Sequence, residues 1–68
     1  MEEIQNIIYN YIEDIEAYTA SAKKATDKKE YGRAAKYMHE VNLLSENLKK
    51  VIDNYLYLKD VANDLIKK

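Results

Sequence analysis

The stretch Ala25-Thr26-Asp27-Lys28-Lys29-Glu30-Tyr31-Gly32-Arg33-Ala34 decides the fold of this chain. On its N-terminal side apolar residues recur in alternating steps of four and three: Ile4, Ile8, Tyr11, Ile15, Tyr18, Ala22, Ala25. On its C-terminal side the rhythm restarts and does not miss a step: Ala34, Tyr37, Val41, Leu44, Leu48, Val51, Tyr55, Leu58, Ala62, Leu65. Such spacing lines one stripe of a helix, the mark of helices that pack along their length. Between Ala25 and Ala34 the rhythm fails. Asp27 and Glu30 have the spacing of a capping box, with Asp27 as N-cap and Glu30 at N3. Gly32, the only glycine, is the alternative as the C′ residue closing the first helix. Either way the chain reverses. The expectation is one helical-hairpin domain over residues 1–68, with helix 1 over about 2–27, the turn at about 28–31 and helix 2 over about 31–67.

Folding the chain at this point gives a register. Ala25 meets Ala34, Ala22 meets Tyr37, Tyr18 meets Val41, and Ile15 meets Leu44. Tyr11 then meets Leu48, Ile8 meets Val51, and Ile4 meets Tyr55. Every seam residue of helix 1 finds one on helix 2, and the small pair lies beside the turn, where the backbones come closest. Helix 2 outruns helix 1, so Leu58, Ala62 and Leu65 have no partner within the hairpin. The alternative architecture is a three-helix bundle with a second break near Asp53, which would cap the third helix.

Two helices share only one seam, yet apolar residues also occupy one flank: Ile12 on helix 1, and Tyr31, Met38, Ile52 and Ile66 on helix 2. The opposite flank reads Asp14, Ser21, Arg33, Glu40, Asn47, Asn54, with Ile7 and Val61 as apolar exceptions near the open end. Leu56 and Tyr57 add an apolar pair outside the seam. A hairpin with one apolar side calls for a cover. The expected interface residues are Ile12, Met38, Ile52, Leu56, Tyr57, Leu58, Ala62 and Leu65. Pairing of two hairpins gives a four-helix bundle, and a different protein docking in the helix-in-groove manner is the other cover.

Composition sharpens the need. A chain of 68 residues has a marginal core, burying only ~60% of its unfolded surface. With no cysteine there is no disulfide and no thiolate ligand. Small folds without such staples depend on regular helix packing or on a partner. The net charge of −1 gives no bulk signal for nucleic acid or a membrane surface, and no apolar run approaches the ~18 residues of a membrane span. The acidic start, Met1-Glu2-Glu3, does not suit a secretory signal. A cytoplasmic location is expected. Lysine far outnumbers arginine, and Ile, Asn and Tyr are frequent, as in proteins of AT-rich genomes; a low-GC bacterium, its phage or its plasmid fits.

Charge is unevenly placed. Residues 1–22 carry five acids and no base, whereas residues 23–36 carry six bases against Asp27 and Glu30, a net of +4. Lys23, Lys24, Lys28, Lys29, Arg33 and Lys36 make the turn a positive tip, a candidate contact for an anion or nucleic acid. The run Glu13-Asp14-Ile15-Glu16 is the candidate for nucleic-acid mimicry. The seven tyrosines stand without Phe or Trp, and those on the seam need a partner or water for each hydroxyl. His39 falls on the outer face. No His, Cys, Asp and Glu set has metal-ligand spacing, no glycine-rich phosphate loop is present, and Ser45 lacks a neighbouring general base. No metal, cofactor or catalytic residue is expected from the residues alone.

Lys29-Glu30-Tyr31-Gly32-Arg33-Ala34-Ala35-Lys36-Tyr37 resembles the turn of a tetratricopeptide unit, but no second repeat follows. Residues 40–55, Glu40-Val41-Asn42-Leu43-Leu44-Ser45-Glu46-Asn47-Leu48-Lys49-Lys50-Val51-Ile52-Asp53-Asn54-Tyr55, resemble the second helix of the small sporulation-regulatory aspartyl phosphatases. Those are short antiparallel hairpins that dephosphorylate a response regulator. Their Ser-Gln-Glu-Leu-Asp signature stands here as Ser45-Glu46-Asn47-Leu48-Lys49, so the closing aspartate is a lysine. The family's Gly-to-Pro loop is also absent, and the chain between turn and motif is longer. The resemblance implies a hairpin architecture, a regulatory role and, as the enzymatic alternative, phosphatase activity on a response regulator. The residues themselves favour a small non-enzymatic regulator or inhibitor acting on another protein, such as an anti-defence inhibitor, with itself and a host protein as partners and nucleic-acid binding through the turn as a further alternative.

Overall fold

The computed structural model describes the backbone of residues 3–67 and the side chains of residues 3–63. It is all-helical. Two helices, α1 (Glu3–Asp27) and α2 (Tyr31–Lys67), fold against each other as an antiparallel hairpin, and no strand is present among the described residues.

The turn is built differently from the two arrangements its sequence suggested. Asp27 is the last residue of α1 and not the N-cap of α2. Glu30 N–H donates to the Ala25 carbonyl at 2.8 Å and Lys29 N–H to the Thr26 carbonyl at 2.9 Å. These are the two bonds of a Schellman closure, with Lys29 as its C′ residue in the left-handed region at φ 62°. Glu30 then serves as the N-cap of α2, its carbonyl accepting from Ala34 N–H at 3.0 Å. Gly32 lies inside the first turn of α2 without a positive φ. The closure satisfies carbonyls at the end of α1 that would otherwise lack partners. The N-cap of α2, Glu30, thus directly follows the C′ residue of α1, Lys29, which keeps the helices adjacent.

A lysine at a left-handed position carries steric strain of ~1–2 kcal/mol that glycine lacks. Part of the gain from glycine is lost to its freer unfolded chain. Lys29→Gly is therefore expected to stabilise the protein by about 0.5–1 kcal/mol, a rise of a few degrees in thermal midpoint for a domain this small. Circular dichroism melting checks it; a lower midpoint would contradict the closure described above.

Burial follows the seam. Ala22 and Ala25 are the buried residues, at 6% and 3% exposure. Ile4, Ile8, Tyr11 and Ile15 on α1, and Ala34, Tyr37, Val41, Leu44, Leu48, Val51 and Tyr55 on α2, are half-buried. Tyr18 sits at the rim of the seam, its ring 6.2 Å from that of Tyr37 and tilted by 40°. No buried polar side-chain atom among the described residues lacks a partner. The seam tyrosines thus contribute ring area without stranding a hydroxyl. Thr19 and Thr26 hydroxyls donate to the carbonyls of Ile15 and Ala22, so neither needs a partner outside its own helix.

The three-helix alternative is not what the chain does. Helix α2 runs without interruption through Asp53. Instead of capping a new helix, the Asp53 carboxylate accepts from Lys49 Nζ one turn earlier at 2.7 Å. The unbroken four-three rhythm across this position leaves no reason for a break. The consequence is a flat, elongated molecule of 60 × 21 × 9 Å with a radius of gyration of 16.9 Å. A compact chain of this length would have a radius near ~11 Å.

Candidate functional site: an uncovered apolar side

Three features of the hairpin are available for function: its apolar flank, the part of α2 beyond α1, and the basic turn. The flank follows from the antiparallel arrangement, which brings the same-side neighbours of both seams together. Ile12 is 39% exposed and Met38 49% exposed, while Ile52 is half-buried. Tyr31 opens this flank at the turn and is exposed. Two exposed residues extend the apolar surface beyond those singled out from the sequence, Tyr9 and Leu43. Tyr9 lies one turn before Ile12 on the same side, so its three-residue spacing was the signal that could have found it. Its hydroxyl accepts from Gln5 Nε2 at 3.3 Å. Leu43 projects from the outer face of α2 and had no such signal.

The overhang lies at the end of the hairpin opposite the turn, past the first residues of α1. Ile4 and Tyr55 close the shared seam, and the next seam residue, Leu58, is 65% exposed. Ala62 is also exposed, and so are Leu56, Tyr57 and Val61. The side chain of Leu65 lies outside the described residues, as does that of Ile66. Lys59 Nζ stands 6.0 Å from the Tyr55 ring centroid, a cation–π contact at the start of the overhang.

At the other end the bases form an open cluster. Lys23 pairs with Asp27 and Arg33 with Glu30, both at 3.8 Å and both exposed. Among the described residues Lys24, Lys28, Lys29 and Lys36 stand outside any ion pair. Lys24, Lys28 and Arg33 share an open groove of about 170 Å³ with Ser21, Glu30 and Tyr37. A second groove of about 440 Å³ passes Tyr18, Lys36, His39 and Glu40. Both are surface depressions on a two-helix layer, and Glu30 offsets the Arg33 charge in the first.

No group of three or more His, Cys, Asp or Glu side chains among the described residues is placed to hold a metal ion. His39 is exposed. Ser45, the serine of the phosphatase-like stretch, is exposed on the apolar flank between Met38 and Ile52. Lys49, where that signature has its aspartate, is tied to Asp53, whose carboxylate holds the lysine pKa above its ordinary value through the hydrogen bond and the charge contact. Among the described residues no helix is long and apolar enough to cross a membrane.

No family model matches the chain, and no curated protein or solved structure is similar to it.

Proposed function

We propose that this protein is a small non-enzymatic regulator or inhibitor that works by binding other protein chains, first a second copy of itself and then a target protein. The observation that carries the reading is the uncovered apolar side. Ile12, Met38, Leu56, Tyr57 and Leu58 are all at least a third exposed on a fold with two buried residues among those described. Ile12 and Met38 share one flank, and Leu56, Tyr57 and Leu58 adjoin one another on the overhang; contiguous apolar surface of this kind marks an interaction site, whereas scattered exposed apolar residues such as Ile7 and Leu43 do not.

Area supports self-association. The chain exposes 5766 Å². A compact chain of 8.0 kDa would expose ~4,450 Å², about 1,300 Å² less. Two copies burying that excess would share about 2,600 Å², within the range of obligate dimers. Pairing through the flank gives a four-helix bundle. The overhang, with Leu58 and Tyr57 outside the hairpin seam, is the remaining apolar surface for a target in the cytoplasm of a low-GC bacterium or its mobile element.

The target-binding part is tested with Tyr57→Lys/Leu58→Lys. Capture from the native host's lysate with the unaltered protein is expected to retain a specific protein that this variant loses, while the variant keeps its helical circular dichroism. Equal retention by both places the target site elsewhere. Release of phosphate from a phosphorylated receiver domain, abolished by Ser45→Ala, would replace this reading with the phosphatase one. Salt-sensitive nucleic-acid binding, abolished by charge reversal at Lys28 and Lys29, would replace it with the nucleic-acid one.

A further inference from the structure

Two hairpins can pair through the apolar flank in two symmetric ways. With the two-fold axis along the helices, the two turns lie side by side. With the axis across them, each turn lies beside the other copy's open end. We infer that this protein pairs in the second, antiparallel way, with the axis passing close to Ser45. The inference rests on the self-association proposed above and adds its geometry.

Charge argues for it first. The turn segment, residues 23–36, carries +4. Four of its lysines have no ion pair within their own chain among the described residues. Among the described residues the open end, 3–8 with 52–63, holds Glu3, Asp53 and Asp60 against Lys59, a net of −2. The axial pairing stacks two +4 tips against each other. The antiparallel pairing places each tip beside a negative end, so the same surfaces attract.

The flank argues for it second. Along α2 it reads Met38, Ser45, Ile52 at seven-residue spacing, with the small exposed serine midway between two larger apolar residues. An axis at Ser45 sets serine against serine, where the helices cross most closely. It sets Met38 of each copy level with Ile52 of the other. Larger side chains then interleave on both sides of a small central pair. The axial pairing instead stacks α2 on the other copy's α1 and keeps Met38 level with Met38 and Ile52 level with Ile52, so the larger residues of the two copies do not interleave along the flank.

The chain has no cysteine, so single cysteines report the geometry directly. Ser45→Cys is expected to form a covalent dimer with a short bismaleimide. Met38→Cys alone is expected to stay single-chain, and an equal mixture of Met38→Cys with Ile52→Cys to crosslink. Sodium chloride supplies a second readout that needs no variant. Raising it from about 0.1 M to about 1 M shortens the screening length from ~10 Å to ~3 Å, and the antiparallel dimer's Kd should rise several-fold. Efficient self-crosslinking of Met38→Cys, or a Kd that falls with salt, overturns the antiparallel geometry while leaving the dimer intact. A single-chain mass for the unaltered protein at high concentration, with no crosslink from any variant, overturns the dimer itself.

Discussion

Met38→Glu/Ile52→Glu is expected to turn the protein into a monomer while leaving the hairpin of that monomer largely intact. In one chain Met38 is half-exposed and Ile52 half-buried, so neither supplies much of the hairpin's own core. In the dimer each would lie under the other copy. Fully covering an aliphatic side chain contributes ~1.5–3 kcal/mol, and about half of that remains to be gained here. Four such side chains per dimer, replaced by carboxylates that must be desolvated without a partner, remove at least ~4 kcal/mol of association free energy, close to a thousandfold in Kd. Sedimentation equilibrium should show the unaltered protein near twice its 8.0 kDa and the variant near that value. An unchanged mass distribution would show that the flank is not the interface. The polar side gives the control. Asn47→Glu and Asn54→Glu change charge on an exposed face and should leave the association state alone.

The second large effect is expected inside the hairpin. Ala25→Leu should lower stability by about 1–3 kcal/mol, the usual cost of forcing extra methylenes into a close contact. Ala25 is 3% exposed, and its carbonyl accepts the Glu30 N–H that closes the turn. A larger side chain must push the helices apart at the point where the closure holds them together. A domain of this size rarely has more than ~3–5 kcal/mol to lose. The thermal midpoint should therefore fall by roughly 4–24 °C, at ~4–8 °C per kcal/mol. Ala20→Leu, on the exposed face of the same helix, should shift it by no more than ~0.5 kcal/mol. Equal midpoints for the two variants would mean that the helices do not meet at Ala25.

The seam was legible because periodicity is a property of whole helices. Fourteen residues repeating in steps of four and three leave one way to pair two stripes, and from Ile4 to Tyr55 the described structure shields those stripes except at Tyr18 on the rim. The end of the described pairing was legible for the same reason, since the rhythm of α2 runs on past Tyr55, the partner of Ile4. The turn was not. Its left-handed residue is Lys29, and a lysine carries no local preference for that conformation. What fixes Lys29 there is the contact of Ala25 and Ala22 with α2, a tertiary demand that outweighs the backbone strain. The pull of Asp27 and Gly32 as turn residues was real but misplaced: Asp27 is used within α1 to pair with Lys23, and Gly32 within α2. Tyr9 was missed because the flank was traced from seven-residue spacing alone, and an exposed side chain one turn away widens it without joining that spacing.

As proposed above, this hairpin is half of a structure, and a second copy covers its apolar side. Folding and association are then one equilibrium, and the thermal midpoint must depend on protein concentration. Melting from about 1 μM to about 1 mM chain, followed by circular dichroism, tests this most directly. The midpoint is expected to climb steadily by several degrees over that range, with Met38→Glu/Ile52→Glu melting at one temperature throughout. A midpoint for the unaltered protein that stays fixed across the same range would contradict it.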